Sequence, residues 1–170
     1  MASSIQVNQS PYVFEPKDTT SPLTDFVLEA GQSSCKSPDA PALIDGASGR
    51  SISFGELRPL IRSCAAGFYT RGLKQGGVLA ILSPNLPEYC IAFHAAASLG
   101  AKVTTINPSY TAQEIAHQLK DAGAEFVITI KMFAPAAQEA AAMSEIPIRG
   151  IYLFDGADEE VRGRMLTLLC

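Results

Sequence analysis

Val78-Leu79-Ala80-Ile81-Leu82 is the stretch that decides the fold, because five consecutive apolar residues predict a strand that is buried on both faces. Such strands belong to parallel sheets, in which crossover connections place helices on both sides. The sequence on either side of this run therefore has to supply helices and further strands. The helix caps, apolar faces and glycine stops in these flanking segments indicate that they form such helices and strands.

Two capping boxes mark helix starts on either side of the strand. Ser53-Phe54-Gly55-Glu56 and Thr111-Ala112-Gln113-Glu114 both have the form in which each side chain satisfies a free backbone N–H group. Gly72 and Gly123 follow the apolar faces of these helices and offer left-handed stops. The spacing predicts one helix from residue 53 to Gly72 and another from Thr111 to residue 122.

The remaining segments continue the alternation of strand and helix. Helices are predicted at residues 85–99 and 134–143, and strands at residues 103–106, 126–130 and 149–154. Strands that alternate with helices of ten to fifteen residues predict right-handed crossovers. We therefore predict an α/β fold with three layers and a mainly parallel, doubly wound sheet.

A short helix and a hairpin precede this repeating part. Ser21 and Pro22 predict a helix start, with Gly31 as its stop. The apolar face that the spacing predicts consists of Leu23, Phe26, Val27 and Ala30. Residues 42–45 and 51–54 flank a turn-rich segment and predict the hairpin. We expect residues 1–20 to form a flexible arm and residues 21–170 to form one domain.

The composition excludes several classes of protein. The chain has 170 residues, of which 47% are hydrophobic and 18% charged, which is a globular and not a disordered composition. A net charge of −4 argues against nucleic acid and anionic membrane surfaces as partners. No transmembrane or leader segment is apparent, and the four scattered cysteines predict free thiols in a reducing, intracellular compartment.

Motifs of the common nucleotide sites and nucleophile sites do not occur. The loop after the buried strand, Ser83-Pro84-Asn85-Leu86-Pro87, has no glycine, and its two prolines lack N–H donors for a phosphate. Neither a G-x-x-x-x-G-K-[ST] string nor a G-x-S-x-G elbow is present. From the residues alone we predict no catalytic, cofactor-binding or metal-binding residue.

Both histidines are isolated in the sequence. His94 lies in a helix with Cys90 and Ser98 four residues away on either side, but neither an oxyanion site nor an orienting third group is visible. His117 follows Glu114 on a charged helix face. We therefore interpret His94 as a packing residue and His117 as a surface residue.

Two asparagines and an acidic cluster are the other candidates. Asn85 and Asn107 each follow a predicted strand, and we interpret both as caps or Asx turns, with Asn85 and Glu88 at capping-box spacing. The cluster of acidic residues near the C-terminus lacks the ligand spacing of a calcium loop and is interpreted as a solvated turn. It consists of Asp155, Asp158, Glu159 and Glu160.

Four strings in a fixed order resemble one family. They are residues 51–57, residues 77–89, residues 100–115 and residues 121–128. In their order and spacing they resemble the adenylate-forming acyl-CoA synthetases, most of all the branch of 4-coumarate–CoA ligase and luciferase. The likeness covers roughly residues 20 to 155. Gly77 is one departure, since the family commonly has Asp at this surface turn.

This resemblance implies a ligase that works in two steps. A carboxylate attacks the α-phosphate of ATP to give an acyl-adenylate and pyrophosphate, and the thiol of coenzyme A then displaces AMP. Two anions have to meet, so the family supplies Mg²⁺, a lysine and backbone amides to offset their charge. None of the family's ATP-binding or catalytic motifs occurs in residues 1–170. We therefore expect the N-terminal part of the fold, ending before the phosphate loop, with no ATP, Mg²⁺ or coenzyme A bound by this chain alone.

Alternatives remain open at this point. The chain is either part of an acid–CoA ligase, part of a luciferase-like oxygenase, or a stand-alone interaction module derived from such an enzyme. Both a cytoplasmic and a peroxisomal location are compatible with the family. We expect the isolated chain to self-associate or bind a hydrophobic dye through an uncovered apolar face, because later sequence completes the packing in the family, and a stand-alone module would pair that face with a partner chain.

Overall fold

The computed structural model describes residues 20–34 and 37–154. The expected arm at residues 1–20 falls almost wholly outside the described residues, as do Cys35, Cys170 and the acidic cluster. The helices are α1 (Leu23–Ser34), α2 (Phe54–Thr70), α3 (Pro87–Ser98), α4 (Ala112–Ala122) and α5 (Ala134–Met143). The strands are β1 (Pro41–Ile44), β2 (Ser51–Ser53), β3 (Val78–Leu82), β4 (Lys102–Ile106), β5 (Phe126–Thr129) and β6 (Gly150–Leu153).

Four of these strands form one parallel sheet in the order β4-β3-β5-β6. All five side chains of β3 are buried, as the apolar run predicts. The chain moves from β3 to one neighbour, β4, and then crosses to the other neighbour, β5. Strands β1 and β2 form a separate antiparallel hairpin with an irregularity in its register.

Helices cover both faces of the sheet, so the predicted three-layer α/β fold is confirmed. Alternate side chains of β3 point to opposite faces: Leu79 and Ile81 pack with α2 and α3, whereas Val78, Ala80 and Leu82 pack with α4 and α5. Among residues 20–34 and 37–154, no helix combines the length and the apolar character that a membrane crossing requires.

The capping boxes of α2 and α4 form where the sequence predicts them. The backbone N–H of Thr111 donates to Glu114 Oε2 over 2.8 Å, and the Glu114 N–H donates to Thr111 Oγ1 over 3.4 Å. The Thr111 hydroxyl also donates to Glu114 Oε2, over 2.8 Å. The backbone N–H bond and the hydroxyl bond that Thr111 donates lower the pKa of the exposed Glu114 carboxyl. At the other end of α4, Gly123 has φ of 63°, the left-handed conformation that ends the helix.

The prediction for α1 is wrong in two respects. The helix continues through Gly31 to Ser34, because Gly31 keeps a helical backbone and not the left-handed conformation of a stop. The missing side chain instead allows close packing, since a Cβ there would lie 3.1 Å from the ring of Phe54. The helix also turns its other side inward, burying Thr24 and Leu28. Leu23 and Phe26 of the predicted apolar face are each 53% exposed.

The predicted cap of α3 is also wrong. The N-cap residue is Leu86 and not Asn85, and Pro87 is the first helical residue. Proline suits that position because its missing N–H is not needed there and its fixed φ is already helical. Glu88, which the sequence pattern paired with Asn85, instead forms an ion pair with Arg50 of the hairpin at 2.6 Å.

Candidate functional site

The carboxyl ends of β3, β4 and β5 form the edge at which an α/β sheet of this type binds its ligands. The most favourable point for a ligand lies between β3 and β5. The crossover from β3 leads to β4 on one side, and the crossover from β5 leads to β6 on the other side. The loops that follow these strands begin with Ser83, Asn107 and Ile130. Their polar groups decide what this edge can do chemically.

Thr129 links the carboxyl ends of β3 and β5 by a hydrogen bond. Its side chain is fully buried, and its hydroxyl donates to the carbonyl oxygen of Leu82 over 2.7 Å. This bond joins the last residue of β5 to the last residue of β3. Ser83, which is 4% exposed, donates its hydroxyl to the carbonyl oxygen of Pro84 over 2.9 Å. Both hydroxyls are therefore used within the chain.

Asn107 forms the Asx turn that its position after a strand predicts. Its Oδ1 accepts hydrogen bonds from the Ser109 backbone N–H at 3.0 Å and from the Ser109 hydroxyl at 2.9 Å. Asn85 is exposed in the loop after β3 and caps no helix. The described part of the chain groups no three His, Cys, Asp or Glu side chains in a way that would hold a metal ion.

The two histidines lie in opposite environments. His94 is 8% exposed in α3, and its Nδ1 lies 3.2 Å from the hydroxyl oxygen of Thr24 in α1. Burial lowers the pKa of His94. Ser98 is not its partner, because the Ser98 hydroxyl donates to the carbonyl oxygen of Ala95. His117 is exposed on α4.

Both described cysteines are free thiols. Burial raises the pKa of Cys64 to about 12 and also raises the pKa of the half-buried Cys90. Neither thiol is therefore activated as a nucleophile near neutral pH. Cys64 lines an apolar cavity of about 30 Å³ to which α2, α3, β5 and β6 contribute residues.

Sequence reasoning located the edge but missed one important contact there and another between α1 and α3. Thr129 is a hydroxyl residue at the end of an apolar strand, and Thr24 lies on the side of α1 opposite to its predicted apolar face. Each of these residues is a visible signal, because a buried hydroxyl needs a hydrogen-bond partner. The partners Leu82 and His94 are 47 and 70 residues away, so the sequence does not identify them.

The fold is an α/β domain with a parallel sheet, and comparison with known proteins shows that it is of the adenylate-forming type. The sequence profile of the AMP-binding enzyme family matches residues 32–163. The chain belongs to this family.

Similar proteins indicate the branch of the AMP-binding family to which this chain is related. The chain is 40% identical over 123 residues to 4-coumarate–CoA ligase 4 of Arabidopsis thaliana, an overlap of 71% of this chain and 21% of that protein. It is 44% identical over 95 residues to 4-coumarate–CoA ligase of Pinus taeda, covering 56% and 18%. The chain thus spans about a fifth of the length of these relatives.

Solved structures support the same assignment. A fatty acyl CoA synthetase of Mycobacterium tuberculosis superposes with a TM-score of 0.69 at 26% identity, over 82% of this chain and 28% of that chain. A luciferase-like enzyme of the mealworm Zophobas morio superposes with a TM-score of 0.75 at 20% identity, over 86% and 33%. The second likeness concerns the fold alone.

Proposed function

We propose that this chain forms the N-terminal part of the adenylation domain of an ATP-dependent acid–CoA ligase similar to 4-coumarate–CoA ligase. The identity of 40% over 123 residues to the Arabidopsis ligase carries this proposal. In such a ligase a carboxylate attacks the α-phosphate of ATP, pyrophosphate leaves, and the coenzyme A thiol then displaces AMP. A luciferase-like oxygenase is the weaker alternative, because the likeness of this chain to the luciferase-like enzyme concerns the fold alone.

We propose that the described residues do not by themselves form a site for ATP, Mg²⁺ or coenzyme A. At the sheet edge, Ser83 and Thr129 donate their hydroxyl hydrogens within the chain, and Asn107 Oδ1 accepts within the chain. Glu88, which follows the loop after β3, is paired with Arg50. We therefore assign this part of the chain a positioning role: it holds the carboxyl ends of β3 and β5 at a fixed separation beside later sequence that supplies the chemistry.

Exchange of the matching segment tests this proposal. Residues 21–154 of this chain replace the corresponding segment of the Arabidopsis ligase, and pyrophosphate release is measured with 4-coumarate, ATP and coenzyme A. We expect the hybrid to form the thioester and the 170-residue chain alone to release no pyrophosphate. A folded hybrid without activity, or pyrophosphate release by the chain alone, would contradict the proposal.

We further propose that the protein resides in an intracellular compartment and that the isolated 170-residue chain self-associates. The experiment below tests the second of these proposals. Leu23, Phe26 and Val27 on the outer side of α1 support this proposal, since all three are more than 40% exposed and lie on one helix face. We expect light scattering to give a mass above 18.0 kDa for the chain and a lower mass for Phe26→Lys. Met132→Lys, at a residue that is 76% exposed elsewhere, is the matched control. A monomeric wild-type chain would refute self-association.

A further inference from the structure

The two edge strands of the sheet differ in how they are protected. Strand β4 forms one edge, and the N–H of Lys102 donates to the Gly77 carbonyl oxygen on its inner side. Because the direction of pairing alternates along a strand, the backbone groups of Val103 and Thr105 face outward. The Gln118 side chain of α4 donates to the outward Thr105 carbonyl oxygen over 2.9 Å. A covering side chain and an exposed lysine both protect an edge from pairing with another chain.

Strand β6 forms the other edge and lacks such protection. Its sequence, Gly150-Ile151-Tyr152-Leu153, contains no charged residue and no proline. Within residues 20–34 and 37–154, β5 is the one strand that pairs with it. The N–H of Arg149 donates inward to the Glu125 carbonyl oxygen over 2.7 Å, so the N–H and carbonyl groups of Gly150 and Tyr152 face outward. These outward groups are the ones that an added strand would bind.

The outward groups of β6 are complementary to those of a second copy. In an antiparallel pair with its two-fold axis at Ile151, Gly150 of each copy lies opposite Tyr152 of the other. Residues opposite each other in this way exchange both N–H···O=C bonds, so this register uses every outward group of Gly150 and Tyr152. A register centred on Tyr152 would need Phe154 as the partner of Gly150. The Phe154 N–H is not available, because it donates to the Thr129 carbonyl oxygen over 2.8 Å.

The side chains of β6 suit the same register. The four side chains are half-buried, so pairing would cover apolar surface on both faces of the sheet. Ile151, on the face of α4 and α5, would meet Ile151 of the second copy, and Tyr152, on the opposite face, would lie beside a glycine that leaves room for its ring. A charge near a two-fold axis would meet its own like charge. Strand β6 has none, and the neighbouring Arg149 is already paired with Glu125 at 3.2 Å.

We propose that β6 is a self-association edge, through which two copies of this chain pair antiparallel and join their sheets into one. The symmetry is that of an isologous dimer, in which both copies use the same residues. This contact is separate from the outer side of α1, and it does not depend on the assignment of the chain to a ligase. An extended peptide of another protein would find the same backbone groups, but the match of Gly150 to Tyr152 is specific to a second copy.

Hydrogen exchange of single backbone amides tests this proposal. The chain with Phe26→Lys is used, so that the outer side of α1 does not contribute, and exchange is followed by NMR as the protein concentration is raised. We expect exchange at Gly150 and Tyr152 to slow by about tenfold once nine in ten chains are paired. The inward amide of Ile151 should be protected throughout, and the outward amide of Val103 in β4 should not change. Exchange at Gly150 and Tyr152 that is independent of concentration, or equal slowing at Val103, would overturn the proposal.

Two charged variants at the two-fold axis test the register. Ile151→Lys and Ile151→Glu, each in the Phe26→Lys chain, place like charges opposite each other. By light scattering we expect each variant alone to be monomeric and their equal mixture to form a dimer, because opposite charges then meet. A dimer of either variant alone, or a monomeric mixture of two folded variants, would overturn the register. If a variant does not fold, the exchange measurement on the native β6 decides. Neither measurement uses ligase activity, so this proposal and the proposed function fail independently.

Discussion

Helices α4 and α1 differ in how much of their apolar surface they bury against the domain. Helix α4 buries Ile115, Ala116 and Leu119 against the sheet and leaves charged residues outside. Helix α1 leaves Leu23 and Phe26 half exposed and is held through Leu28 in the core and through the hydroxyl of Thr24. The difference arises from position in the chain, because α4 connects two neighbouring strands and α1 precedes the whole sheet. A crossover helix has to place its apolar face on the sheet, whereas a peripheral helix does not.

Truncation of one large apolar side chain on each helix tests this contrast most strongly. Leu119 is fully buried and Phe26 is 53% exposed. We expect Leu119→Ala to lower the free energy of unfolding by about 2–5 kcal/mol through lost burial and a cavity. Phe26→Ala is expected to change it by less than about 0.5 kcal/mol, as for other surface positions. Urea unfolding of both variants measures the difference, and equal costs would contradict the orientation of α1.

Loss of one buried hydroxyl in each region sharpens the comparison. Thr129→Val removes the hydrogen bond to the Leu82 carbonyl at the centre of the sheet. We expect a cost of about 1–3 kcal/mol in global stability, because the carbonyl loses a buried partner. Thr24→Val is expected to increase hydrogen exchange in α1 alone. Thr105→Val, at an exposed position of β4, is the control. Global destabilisation by Thr24→Val that matches that of Thr129→Val would show that α1 is part of the central cooperative unit.

Helix caps provide the smallest expected effects. Thr111→Ala removes the side-chain acceptor of the Glu114 N–H, with an expected cost of about 1 kcal/mol in the free energy of unfolding. Asn85→Ala is the matched variant, since Asn85 also follows a strand but caps no helix. Thermal unfolding should separate the two variants, with almost no change for Asn85→Ala. If Asn85→Ala lowered the free energy of unfolding as much as Thr111→Ala, Asn85 would be the N-cap of α3, as the sequence predicts.

The predictable part of the fold is the part in which local and tertiary preferences agree. Strand β3 and the two capped helices α2 and α4 have strong local patterns that the sheet then uses. The orientation of α1 depends on His94, 70 residues away, and no local pattern encodes that contact. The start of α3 was misplaced because Asn85 is a good cap by composition, while Pro87 fixes the first helical residue.

The same reasoning applies to the sheet edge. The ends of the strands could be predicted, so the loops at Ser83 and Asn107 were identified from the sequence. Whether the polar side chains at the sheet edge can contact a ligand depends on hydrogen bonds that form on folding, such as the one from Thr129 to Leu82. Such a bond requires β5 to lie beside β3, which is a consequence of strand order and not of local sequence.

The intact mass of the protein in its source cells tests the central claim most directly. An antibody against residues 113–123, the segment of α4 and its stop, captures the endogenous protein for mass spectrometry. A mass several times 18.0 kDa is the result expected for the N-terminal part of an acid–CoA ligase. A mass of 18.0 kDa would contradict that claim and would favour a stand-alone module.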